Sequence, residues 1–215
     1  MPDTNRLHVM IVPVTPFQQN CSIIWNGDSQ RGVVVDPGGD IEMIRQGIAE
    51  AGATIERILL THGHIDHAGS AAELKADLGV PLVGPHIADR FLLDNLEQTA
   101  SGYGMTHVRN VTPDIWLEEG QDVLIGGVPF NVLHCPGHSP GSVAFVNPDL
   151  KFAVVGDVLF RGSVGRSDLP GGDHATLIAS IKDKLLPLGD EVAFLCGHGP
   201  ASTIGEERRS NPFLR

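Results

Sequence analysis

The sequence predicts an α/β protein in which two series of strands form layered sheets flanked by helices. Apolar runs of strand length recur early and again in the second half, helix-period segments lie between and after them, and Gly, Pro or Asp punctuates most boundaries. LHVMIVPV, CSIIWN and GVVVD read as the first strands, with strand-length apolar runs rich in β-branched residues. Asp40 is placed as the cap of a helix running to about Ala51 and stopped by Gly52. IERILLT follows as a strand, SAAELKADLG as a helix ended by Gly79, PLVG as a short strand and IADRFLLDNLEQ as one helix. Thr99 to Pro113 gives no clear period. DVLIG, PFNVLHC, SVAFVN and KFAVVGD make the second strand series, DHATLIASIKDKLL a capped helix and EVAFLCG a last strand.

The chemistry concentrates in LLTHGHIDHAG, where His62, His64, Asp66 and His67 fall within six positions. His62 and His64, two apart at the end of a strand, project to one side. Imidazole and carboxylate suit borderline dications such as zinc and leave room for a reactive water. A His-rich surface turn is the plain alternative. His138 in HCPGHSPGS, Asp157 in VVGDVLF and His198 in LCGHGP each follow or end an apolar run beside Gly or Pro. Singly each reads as a turn residue; together they supply what a second metal would need.

This order of ligands, HxHxDH followed by His, Asp and His, resembles the metallo-β-lactamase superfamily along essentially the whole chain. VVVDPGGD, GRSDLPGGDH, IKDKLLPLGD and GHGPAST are similar to its short type II glyoxalase branch, the hydroxyacylglutathione hydrolase-like proteins. The resemblance implies an αββα sandwich of two mixed sheets, one domain over 1–215, and no C-terminal helical glutathione-binding domain. It also implies two divalent ions, zinc first and iron or manganese next. His62, His64 and His138 would hold one ion and Asp66, His67 and His198 the other, with Asp157 bridging. Asp66 and Asp157 are thus the catalytic carboxylates, offsetting the charge of the pair. The implied reaction is hydrolysis of small thioesters, S-D-lactoylglutathione above all, by water activated between the metals. Asp36 would hold ligand orientation from behind, with a plain turn Asp as its other reading. Arg161 and Arg166 would meet substrate carboxylates, or else be solvated or paired with Asp168. Tyr103 is a candidate for the substrate channel; His8, His86, His107, His134 and His174 fall outside the motif.

Composition narrows the classes. A formal net charge of −11 over 215 residues argues against a nucleic-acid surface. No eighteen-residue apolar run and no basic-then-apolar leader occur, so the expectation is a cytoplasmic protein without membrane contact, monomeric or a small homo-oligomer. Cys21, Cys135 and Cys196 are expected as reduced thiols. Superfamily lactamases of the best-known type carry Cys at the position of Asp157, which disfavours antibiotic hydrolysis. Two rivals remain: a persulfide dioxygenase with a single iron on His62, His138 and Asp157, and a metal-binding protein of low turnover.

Overall fold

The computed structural model describes residues 7–105 and 107–215. In chain order the strands are β1 (Leu7–Val14), β2 (Gln19–Asn26), β3 (Arg31–Val35), β4 (Thr54–Leu59), β5 (Leu82–Val83), β6 (Asp122–Ile125), β7 (Val128–His134), β8 (Val143–Asn147), β9 (Phe152–Val154), β10 (Leu159–Phe160), β11 (Ser163–Val164), β12 (Ala193–Leu195) and β13 (Ser202–Thr203). The helices are α1 (Ile41–Ala51), α2 (Ile65–Ala68), α3 (Ala71–Leu78), α4 (Arg90–Leu93), α5 (Leu96–Tyr103), α6 (His174–Ser180) and α7 (Ile204–Ser210).

The first sheet runs β1-β2-β3-β4-β5, antiparallel up to β3 and parallel beyond it. The second runs β13-β12-β9-β8-β7-β6, with β9 and β12 its parallel pair. Alternation along each strand divides the core. Ile24, Val33, Val35 and Leu59 meet Phe130, Val132, Phe145 and Val154 between the sheets. The opposite faces of the same strands, Ile23, Val34 and Ile58, pack with Ile44 and Leu74 from α1 and α3. Ala144, Val146 and Phe194 on the far side of the second sheet pack with Leu177 and Ile181. The layers are therefore helix, sheet, sheet, helix, as expected.

Three local expectations are corrected. Asp40 precedes α1 but makes no cap hydrogen bond; its backbone is left-handed, and its carboxylate accepts from the Thr15 amide at 2.7 Å. The segment from Ile87 is a 3₁₀ turn followed by α4 and α5, because the chain breaks at Asp94 and Asn95, where the Asn95 side-chain amide donates to the Phe91 carbonyl. The helix capped by Asp173, whose carboxylate accepts from the Thr176 amide, keeps α form only to Ser180 and then widens to a π turn over Ile181–Leu185.

Candidate metal centre

Both halves of the fold deliver side chains to one edge of the sandwich. β4 ends at Leu59 and releases His62 and His64 into a loop; Asp66 and His67 follow on α2, so they stand on a helical turn and not on a plain loop. His138 comes after β7, Asp157 after β9 and His198 after β12. Since β9 and β12 are adjacent and parallel, Asp157 and His198 leave the sheet side by side.

All seven predicted ligands converge. His62 Nε2 and His64 Nδ1 lie 3.2 Å and 2.9 Å from His138 Nε2, separations at which the nitrogen lone pairs repel unless a proton or a metal ion lies among them. His198 Nε2 lies 3.1 Å from Asp66 Oδ2, and His67 Nε2 lies 3.8 Å from the same oxygen. Asp157 stands between these groups: its Oδ1 is 3.3 Å from His67 Nε2, while its Oδ2 is 3.6 Å from His138 Nε2 and 3.5 Å from His198 Nε2. Two sets of donors, His62 with His64 and His138, and Asp66 with His67 and His198, each fit round one ion.

Hydrogen bonds behind the ring orient the imidazoles. His138 Nδ1 donates to the Arg166 carbonyl at 2.7 Å, His67 Nδ1 to Asp36 Oδ2 at 2.9 Å and His198 Nδ1 to the Phe17 carbonyl at 3.2 Å. With the outer nitrogen committed to these acceptors, the inner nitrogen is the one each ring would offer to an ion. Asp36 sits at the end of β3 with a positive φ of 53°, and its carboxylate also accepts from the amide and hydroxyl of Thr61 at 2.7 Å and 2.6 Å. It thus ties the strand that carries His62 to the ring of His67. Gly197 is required by close approach: a Cβ there would lie 2.0 Å from Asp157 Oδ1.

The electrostatics divide the cluster. Burial, then repulsion among the rings, pushes His62 well down and His64 down to about 3; burial also lowers His138. For His67, burial acts downward but the charges of Asp157 and Asp66 outweigh it and hold the ring above its usual range, and Asp66 does the same for His198. Among the described residues, His64 Nε2, His67 Nε2 and Asp157 Oδ1 are buried without a hydrogen-bond partner. Two of these, His67 Nε2 and Asp157 Oδ1, lie 3.3 Å apart within the cluster, and unpartnered imidazole and carboxylate atoms there are what a divalent ion satisfies.

The centre forms the floor of a cleft of about 680 Å³, walled by Phe17, Leu92, Leu96, Tyr103, Phe160 and Leu169. Arg166 reaches this wall, bound through Nε and Nη2 to both oxygens of Asp168. Arg161 is exposed and is not part of the lining. His174 is exposed at the start of α6, also outside the cleft. The three cysteines are free and buried; burial raises the thiols of Cys135 and Cys196 to about 12 and about 11. Sequence reading missed Thr61, Gly197 and Asp89, which are ordinary loop and helix residues until the strands are assembled.

A family model described as the metallo-beta-lactamase superfamily matches residues 14–198. The chain belongs to the metallo-β-lactamase superfamily. Within the superfamily it is 46% identical to hydroxyacylglutathione hydrolase GloC of Haemophilus influenzae, over 97% of this chain and 98% of that protein. Among solved structures it resembles TTHA1623 in a di-iron-bound form, at 41% identity and a TM-score of 0.85, covering 96% of this chain and 100% of that one. It also resembles the BLEG-1 B3 metallo-beta-lactamase, at 38% identity and a TM-score of 0.88, covering 96% and 99%. Membership of the superfamily and the convergent His and Asp groups make divalent metal ions the cofactor and metal-dependent hydrolysis the reaction class. No helix among the described residues is long and apolar enough to cross a membrane.

Proposed function

We propose that the chain is a dinuclear metal hydrolase of small thioesters, with S-D-lactoylglutathione-type hydroxyacylglutathiones as its substrates. The observation that carries this reading is the position of Asp157, whose carboxylate lies within 3.6 Å of His138 from one donor group and of His67 and His198 from the other, at the base of one cleft. His62, His64 and His138 would hold one ion, Asp66, His67 and His198 the other, and Asp157 both. Bound divalent ions supply acidified water at neutral pH and draw charge from a carbonyl oxygen. The chain's own part is to fix the donors. Asp36, the Arg166 carbonyl and the Phe17 carbonyl keep three imidazoles presenting their inner nitrogens. Asp66 and Asp157 bring two negative charges against the four of two dications.

The cleft walls exclude water from one side of the substrate, and Arg166 is the cation on the wall that meets a substrate carboxylate once its pair with Asp168 opens. Addition of water to the thioester carbonyl and expulsion of the thiolate breaks the C–S bond and gives one carboxylate, one thiol and one proton released to solvent. A thiolate leaves readily, so no dedicated acid is required opposite the floor. The relative named hydroxyacylglutathione hydrolase, matched end to end, supports the choice of glutathione thioesters. Zinc is the expected metal, and the match to a di-iron structure makes iron the next.

The test combines metal analysis with turnover. Protein purified without added metal should carry close to two ions per chain and should release glutathione from S-D-lactoylglutathione, followed by thiol capture. A single iron with oxygen uptake on glutathione persulfide would replace this reading with a dioxygenase. The likeness to a protein named a B3 lactamase supplies a second assay, ring opening of a β-lactam, which should be much slower than thioester cleavage.

A further inference from the structure

Asp89 has no exposed surface and lies outside the seven converging side chains. It ends the 3₁₀ turn Ile87–Asp89, and its carboxylate receives three donors. Oδ2 accepts from the Gly63 amide at 2.8 Å and the Ser139 hydroxyl at 2.7 Å, while Oδ1 accepts from the Gly141 amide at 2.5 Å. Gly63 separates His62 from His64, and Ser139 follows His138. Every donor therefore belongs to a loop that carries a member of the three-histidine group. A second tie reinforces the clamp, since the His86 amide donates to the Gly141 carbonyl at 3.1 Å. Contact is so close at Gly141 that a Cβ there would lie 2.5 Å from Asp89 Cγ.

We propose that Asp89 is a positioning residue that locks the loops of His62, His64 and His138 together and so sets the affinity of that group for its ion, leaving the Asp66, His67 and His198 group unaffected. This rests on the two-ion reading above. Only a carboxylate serves: it offers acceptors on both oxygens to three fixed donors, and charged acceptors make the stronger hydrogen bonds. An amide in its place must turn its NH₂ toward either the Gly141 amide or the Gly63 amide, releasing one loop. Loss of an interaction behind a ligand typically weakens metal binding by about 10–100-fold.

The experiment measures cobalt affinity by chelator competition in two backgrounds. In His198→Ala the three-histidine group is the complete one; in His64→Ala the acid-rich group is. Asp89→Asn should weaken binding by roughly 10-fold or more in the first background and by less than about 3-fold in the second. Ser139→Ala, which removes one donor and keeps two, should give a smaller loss with the same selectivity. Equal losses in both backgrounds, or none in either, would overturn the proposal. If Asp89→Asn does not fold, Gly141→Ala and Ser139→Ala decide by the same comparison. A parent protein that takes up no cobalt would instead sink the two-ion reading itself.

Discussion

Asp36 Oδ2 lies 2.9 Å from His67 Nδ1 while the same carboxylate holds the amide and hydroxyl of Thr61. One buried acid thus couples the end of β4 to a ring on α2. Asp36→Ala should leave His67 free to rotate and Thr61 without its acceptor. The expected result is roughly 10–100-fold weaker binding of the ion held with Asp66 and His198. Isothermal titration with zinc would measure it; unchanged affinity for both ions would contradict the orienting role.

Gly197 has Asp157 Oδ1 and His67 Cε1 as its nearest neighbours, at 2.0 Å and 2.5 Å from a would-be Cβ. Gly197→Ala must displace the Asp157 carboxylate or the strand end. Metal content should drop below one ion per chain, with thioester turnover falling on the order of 100-fold or more, as for loss of a preorganised group. Elemental analysis alongside the assay checks this. A fully loaded, active Ala variant would show that Asp157 is not held where the structure has it.

The metal-free protein should lose stability on mild acidification. An unfolded His takes a proton near 6.5, whereas His64 in the fold does so only at about 3, and His62 and His138 are lowered too. Between those values the unfolded chain binds more protons, so stability falls as pH drops, by up to about 1.4 kcal/mol per pH unit for each such ring. His67 and His198 are raised, so near pH 6.5 they oppose this trend, while well below it they are protonated in both states and add little slope. Urea unfolding at pH 5.5 and pH 4.5 reads the effect, and His64→Gln should reduce it by one ring's share, leaving the part due to His62 and His138. Stability that held level in the parent would mean the rings are not kept neutral.

Arg166 plays separate parts through its backbone and its side chain. Its carbonyl fixes His138, and its guanidinium lies on the cleft wall paired with Asp168. Arg166→Gln keeps the carbonyl. For S-D-lactoylglutathione, KM should rise roughly 5-fold, the worth of about 1 kcal/mol of solvent-screened charge pairing, with kcat little changed. Steady-state kinetics separate the two constants, and a fall in kcat alone would place the side chain at the reacting atoms.

The seven converging residues were legible in the sequence because their chemistry is rare at that spacing and each follows a strand-like run. The layers were legible because the unbroken apolar run Val33 to Val35 marks a strand buried on both faces, Val34 toward the helices and Val33 and Val35 toward the second sheet. What escaped depended on contacts distant along the chain. Asp40 reads as a cap, yet its carboxylate finds Thr15 first. The break at Asp94 and Asn95 splits one apolar segment into a 3₁₀ turn, α4 and α5, which local propensity does not register. Asp89 resembles any acid near a helix start, and only the meeting of Gly63, Ser139 and Gly141 around it gives it a role. Arg161 and Arg166 looked alike in sequence; the β10-β11 ribbon sends them to different surroundings.

Because His198 follows β12, the last of the seven side chains along the sequence comes beside Asp157 only when β12 pairs with β9. During synthesis a nascent polypeptide can present HGHIDH to a passing ion long before the remaining donors exist. The finished grip must wait until the ribosome has released the closing strand, which makes full metal capture a timestamp of correct topology.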